Sequence, residues 1–281
     1  MSFSRILAAV AAAMACSVAA YAQPVAVLPA PPVILPFIPS PVGGWTVTVG
    51  LGGEVEPSFA GANSVRFSPV PIFSLRRAGT PVRFRSMRDG ASFAIFDPGN
   101  GFRAGPVGKY KHSRKSSDHA ELTGLRDVDF AVELGGFAEY FAIDWLRLRA
   151  EVRRGFGGHE GVIADFSADV IVPLAERLTF AAGPRYTVTN AGYASTYFGV
   201  SAAESLASGL PVFDAGGGSH TVGAGAQLRY QLNPQWEVRS YVEFDRLLGA
   251  AADSPLVRLR GTPNQTTGGI GVAYSFDVEV R

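Results

Sequence analysis

From Trp45 onward, apolar and polar side chains alternate with a period of two. The clearest run spans residues 145–153: Leu146, Leu148, Ala150 and Val152 fall on one face, Arg147, Arg149, Glu151 and Arg153 on the other. Such alternation marks a strand whose two faces meet different surroundings. Four charges on one face of a membrane strand are stable only where that face lines a wet or charge-paired interior. Trp236, Val238, Val242 and Phe244 alternate in the same way with Glu237, Arg239, Glu243 and Asp245. Softer versions run over 128–140, 162–172, 178–188 (carrying Arg185) and 222–230 (carrying Arg229). The last run sets Ile270, Val272, Tyr274 and Phe276 against Gly271, Ala273 and Ser275, the closing pattern of an outer-membrane barrel. Weaker segments near 45–55, 65–76, 81–88, 91–97, 102–112 and 265–276 bring the expectation to about twelve strands, an even number as in bacterial single-chain barrels. The fold class expected is all-β, a transmembrane antiparallel β-barrel.

Connection lengths alternate as well. Residues 77–80, 97–101, 142–144, 173–176 and 232–234 are short and several carry Pro or Gly, as tight turns require. The alternate set, 112–126, 190–218 and 247–264, is long. Short periplasmic turns and long outer loops are the barrel arrangement. Two long loops hold helix signals. Ser201-Ala202-Ala203-Glu204 is a capping box with Gly209 as the stop, and Ser254-Pro255 starts a second short helix before Gly261. Tyr197, Phe198, Val200, Leu206, Leu210, Val212 and Phe213 make the longest loop too apolar to remain in water, so it is expected to fold inward and partly plug the lumen.

The N-terminus changes the compartment. Arg5, the short apolar run 6–15 and Ala20-Tyr21-Ala22 form an export signal with a cleavage site, so the mature chain is expected to begin near Gln23. The apolar run is shorter than the roughly 20 residues of a spanning helix. Cys16, the single cysteine, lies inside that signal. Residues 24–41 are Pro-rich and uncharged, a semi-rigid periplasmic tether. The expected organisation is signal peptide 1–22, tether 23–44, barrel 45–276 and C-terminal tail 277–281.

With 33 Gly and 19 Phe in 281 residues, and only 17% charged residues, the mean hydropathy is just +0.15. A barrel averages an apolar outside with a polar inside to such a value. The net charge of +1 and the lack of a basic patch argue against nucleic acid as a partner.

Candidate chemistry is sparse. His159-Glu160, between glycines, is the most enzyme-like pair, with His112, His119 and His220 in or near outer loops. The plainer alternative is a polar turn bonded to loop backbone. No nucleophile elbow, phosphate loop or Cys-based metal site is present in the sequence. An enzyme, a cofactor and a metal are therefore not expected. Asp127 and Asp129 share a face, as do Asp165 and Asp169. Facing Arg147, Arg149, Arg185 and Arg229 across the lumen, they are expected to pair with them.

The loops carry a family resemblance. Gly101-Phe102-Arg103-Ala104-Gly105-Pro106, Gly157-Gly158-His159-Glu160-Gly161, Thr196-Tyr197-Phe198-Gly199-Val200-Ser201, Ser208-Gly209-Leu210-Pro211, and the run from Leu247-Leu248-Gly249 through Asp253-Ser254-Pro255 to Phe276 follow one another in order. Over 45–276 the chain resembles the MltA-interacting protein / OmpV family of outer-membrane proteins. That resemblance implies a scaffold in the Gram-negative outer membrane, set in lipid by the barrel-assembly machinery. Its named member bridges a lytic murein transglycosylase and a bifunctional murein synthase. Other members are linked to osmotic response, adhesion or antibiotic exposure. The chain departs from the pattern at Pro57-Ser58-Phe59-Ala60-Gly61, in the Pro-rich tether and in 277–281, beyond the terminal aromatic. The runner-up to a scaffold is a narrow channel for small solutes, lined by Arg147, Arg149, Glu151, Arg229, Arg239 and Glu243.

Overall fold

The structure, a computed structural model, describes residues 44–80 and 82–279. The expected signal peptide, most of the tether and residues 280–281 lie outside the described residues. Eleven strands form one sheet: β1 (Gly44–Pro57), β2 (Val65–Arg77), β3 (Ala91–Ser92), β4 (Phe102–Lys111), β5 (Ala131–Ile143), β6 (Leu146–Gly157), β7 (Val162–Ala175), β8 (Leu178–Thr189), β9 (Gly218–Gln231), β10 (Trp236–Leu247) and β11 (Asn264–Glu279). Their order is β2-β1-β11-β10-β9-β8-β7-β6-β5-β4-β3, so the first and last strands of the chain pair and the sheet curls into a nearly closed antiparallel barrel.

The faces of the wall follow the alternation. Leu134, Leu148, Val152, Phe166, Val170, Phe244, Ile270 and Val272 are exposed on the outside, while Arg147, Glu139, Asp169 and Glu243 are buried inside. This is the reverse of a water-soluble domain and suits a hydrocarbon surround.

The barrel has eleven described strands because one expected strand leaves the wall. With eleven mutually antiparallel strands, β2 and β3 run in the same direction, and no ladder joins these two edges among the described residues. Instead of the strand expected near 81–88, residues 82–90 turn into the lumen. The reason is local. Arg83 and Arg85 occupy one alternating face, while Ser86 and Arg88 follow Val82 and Phe84 on the other. Neither face could lie against lipid. The chain reverses at Ser86–Asp89, where Asp89 N–H donates to the Ser86 carbonyl (3.2 Å) and Ser86 N–H donates to the Asp89 carboxylate (3.1 Å). It then rejoins the wall irregularly. β3 pairs with Val107 and Gly108, and Phe96 bridges to Ala104.

Two other boundaries differ from expectation. Asp277, Val278 and Glu279 are not a free tail but continue β11 against Thr46, Trp45 and Gly44 of β1. Pro173 lies within β7, where the pairing with β8 shifts register, so the turn there is only Glu176 and Arg177. A Pro is tolerated at such an irregularity because its missing N–H is not needed by the ladder.

Opposite the short turns, the long connections carry four helices: α1 (Ala191–Phe198), α2 (Ala202–Ser208), α3 (Gly249–Asp253) and α4 (Pro255–Arg260). Ser201 and Glu204 form a reciprocal capping box on α2, and Gly209 ends it in the left-handed conformation (φ 75°). The apolar clusters lie in this cap. Tyr193, Tyr197, Phe198, Leu247, Ala251 and Val257 form one, and Phe59, Leu122, Leu125, Val200, Leu210 and Leu256 another. Leu206 and Val212, expected to fold inward with that loop, remain exposed.

Candidate functional site

The interior between β5, β6, β7, β8 and β10 is a web of ion pairs. β6 supplies its axis, because alternation sends Arg147, Arg149, Glu151 and Arg153 inward one above another. Arg147 is fully buried and all three of its guanidinium nitrogens meet carboxylates: Nε reaches Glu139 (2.6 Å), Nη1 Asp169 (3.0 Å) and Nη2 Asp89 (2.5 Å). Arg149 donates to Glu151 (2.8 Å), to Glu139 (3.3 Å) and to the Ser92 hydroxyl (3.0 Å). Arg153 is held by Glu133 (3.0 Å), Asp165 (2.6 Å) and Glu151. Arg185 joins Asp169 (2.6 Å) to Glu243 (3.1 Å). A buried charge is tolerated only when partners replace its lost water, and here each arginine has at least two.

Toward the short-turn end a second, smaller group forms. Arg229 and Arg239 stand directly opposite across β9 and β10, and Glu237 lies between them, bonded to both, 2.6 Å from Arg229. Two like charges facing each other would repel, and the shared carboxylate offsets that.

The inner segment 82–90 completes the main web. Arg88 reaches Glu243 (2.5 Å), Asp245 (2.9 Å) and Asp165 (3.8 Å), while the adjacent Asp89 reaches Arg147 (2.5 Å) and Arg149 (3.7 Å). Gln227 of β9 clasps the backbone on both sides, accepting from Met87 N–H (2.8 Å) and donating to the Arg85 carbonyl (3.0 Å). A cavity of about 20 Å³ beside Ser86, Arg88, Asp89 and Arg185 has room for one water. Arg147 and Asp169 are themselves shielded from solvent, at 0% and 1% exposure.

Several expected partners lie elsewhere. Asp127 and Asp129 are not in the lumen. They sit at the outer loop and face Lys115, 3.9 and 2.7 Å away. The loop takes them because Ser116 N–H and hydroxyl both donate to Asp127, fixing a turn there. Glu133, Glu139, Arg88, Asp89 and Gln227 were not singled out in the sequence, although they satisfy the arginines. The signal that could have found Arg88 and Asp89 is a charge on both faces of a supposed strand.

His159 and Glu160 part company. Glu160 points outward, 83% exposed, with Arg154 at 3.8 Å. His159 is buried: its Nδ1 accepts from Gly161 N–H (3.2 Å) and its Nε2 lies 3.3 Å from Glu133. Both ring nitrogens are therefore engaged in holding the β6–β7 turn, and neither is free to act as a general base. Its ring meets Tyr193 and Tyr197 edge-on at centroid distances of 5.1 and 5.6 Å. Gly161 must be glycine here, since a Cβ would come within 2.4 Å of the Tyr193 backbone nitrogen. Ser254 donates to the Phe198 carbonyl (2.7 Å), with Pro255 buried beside it and Asp253 exposed. Gly199 caps α1 through its N–H to Ser195. The stretches around Gly158, Tyr197 and Ser254, distant in sequence, thus interlock in one cap over the outer end. Burial pushes the Tyr197 phenol up to about 12, so it is neutral at physiological pH, and its hydroxyl has no partner. No cluster of three or more His, Cys, Asp or Glu suited to a metal occurs among the described residues.

Comparison with known proteins adds the following. The family model described as "MltA-interacting protein MipA" matches residues 49–276. No curated protein matches. Similar solved structures include the NanC porin (10% identity, 82% of this chain and 98% of that one, TM-score 0.39). The COG4313 outer-membrane channel from Pseudomonas putida F1 gives 11% identity, 85% and 98% coverage, and a TM-score of 0.39. The Neisserial surface protein A gives 8%, 84% and 100%, with a TM-score of 0.27.

Proposed function

The chain belongs to the MltA-interacting protein MipA family, and from that premise we propose that it is an outer-membrane barrel serving as a scaffold for murein-remodelling enzymes. A lytic transglycosylase is the partner the family description points to, and a murein synthase is the second. The observation that supports this reading is the filled middle of the lumen, where Arg147 is fully buried and its guanidinium is held by Asp89, Glu139 and Asp169. A barrel that gives its interior to stability has its surfaces left for work.

The partner-facing surface is then the short-turn end. It carries the exposed Asp97 to Gly99 turn, Asp144-Trp145, Glu176-Arg177 and the 232–235 turn; the Pro-rich stretch 24–41 is proposed as a second partner contact from its sequence alone. The test is a pull-down of murein enzymes with the full mature chain. Capture that is lost on deleting 24–41, or on replacing Trp145 and the 97–101 turn, supports the scaffold. Undiminished capture by a chain lacking all of these, or none by the intact chain, removes it.

A further inference from the structure

We infer that residues 82–90 are a removable plug, and that withdrawing them turns this barrel into an ion-conducting pore. This is an activity beyond the scaffold, and the scaffold stands or falls separately on its pull-down.

The first argument is how the segment is held. A strand in the wall cannot leave without tearing two ladders. This segment belongs to none. Met87 N–H and Gly90 N–H donate to the side chains of Gln227 and Glu151, and Ser86 N–H donates to Asp89 within the segment's own turn. Side-chain partners of this kind can be exchanged for water one for one.

The second argument is what the wall retains. Without Asp89, Arg147 keeps Glu139 and Asp169, and Arg149 keeps Glu139 and Glu151. Without Arg88, Glu243 keeps Arg185 and Asp165 keeps Arg153. Asp245 alone loses its cation, and its Oδ1 already lacks a partner. Apart from Asp245, the wall charges therefore stay paired along the strands when the lumen fills with water. The plug is bound by the web without being required by it.

The third argument is geometry. The segment enters from the short-turn end after Gly79, which holds φ at +77°, and Arg83 near that entrance donates to the Gly101 carbonyl (3.3 Å). Retraction toward that end also requires Ala91 and Ser92 to release Gly108 and Val107, the two ladder positions of β3. It does not simply zip into the seam, because Arg83 and Arg85 on one face and Ser86 and Arg88 on the other leave neither face fit for lipid. Water has a foothold in the cavity of about 20 Å³ beside Arg88 and Asp89.

The test is planar-bilayer recording on the refolded mature chain in three forms: unaltered, Arg88→Ala with Asp89→Ala, and residues 83–89 replaced by a short Gly-Ser link. The link removes no wall residue, and heat-modifiable migration on gels confirms folding of each form. The expected result is a silent parent, intermittent openings in the double variant and steady conductance in the linked form. A folded linked form that stays silent overturns the inference, as does a parent that already conducts at the linked form's level. A second readout is independent of conductance. Met87→Cys in a chain lacking 1–22 (Cys16 is the only native cysteine) should react with a charged thiol reagent at least about tenfold faster when Arg88→Ala and Asp89→Ala are added. Equal rates would overturn the plug as a mobile element.

Discussion

Arg147 of β6 and Asp169 of β7 stand opposite each other in the ladder and meet at 3.0 Å with 0% and 1% of their side chains exposed. The pair is cross-strand, yet Arg147 also reaches β5 through Glu139 and the inner segment through Asp89. One guanidinium thus ties three neighbouring strands to the element inside them.

Arg147→Ala should be among the most damaging single changes in the wall. It leaves three carboxylates with one fewer cation in a dry interior, a loss on the order of 3–5 kcal/mol. The urea midpoint of refolding in detergent measures it, with Arg154→Ala, on the exposed face, as the reference. A midpoint no lower than the reference would show that the web is not a stabilising unit.

His159→Ala should loosen the cap and touch the barrel only at Glu133, which loses one partner and keeps Arg153. It removes the acceptor for Gly161 N–H and opens space under Tyr193, costing about 1–3 kcal/mol. Limited proteolysis should show new cleavage in 190–217 while the strands remain protected. Glu160→Ala, fully on the outside, should change stability by no more than about 0.5 kcal/mol.

Gly161→Ala should detach α1 from the β6–β7 turn, because backbone and not a flexible side chain lies where the methyl would go. The same protease assay reads it. A cap as resistant as the parent's would mean the turn can shift at little cost.

Acid should weaken α2 before it weakens the wall. Burial disfavours the charged form of Glu204, but hydrogen bonds from Ser201 and from Arg126 N–H outweigh it and hold the carboxyl below its usual value, with the Arg126 guanidinium 3.5 Å away. A depressed carboxyl contributes its stability above the unfolded value, roughly 4.3, and loses it as pH falls further. Protease resistance of the 199–209 region should therefore hold near neutrality and decline below about pH 4. Glu204→Gln should be weaker at neutral pH and show no such decline.

Much of this could be read in the chain. Trp145 to Arg153 announces a two-faced strand because a strand's side chains must alternate, whatever the strand touches. Ser201 and Glu204 announce a helix start because their bonds span only three residues. What such local rules could not reach was the fate of 82–90, whose partial alternation resembled a strand, and of Asp127 and Asp129, whose shared face resembled a lumen lining.

Alternation along the chain was enough to place strands, apolar faces and loops. What the inward faces meet depended on how the sheet closes. Asp89 belongs with Arg147 and Arg88 with Glu243, 58 and 155 residues away. The fold also brought His159, Tyr197 and Ser254 into one cap. The physical reason is that periodicity is set by the backbone, residue by residue. The partner of a buried charge is set by closure of the sheet, which brings together strands that no spacing along the chain relates.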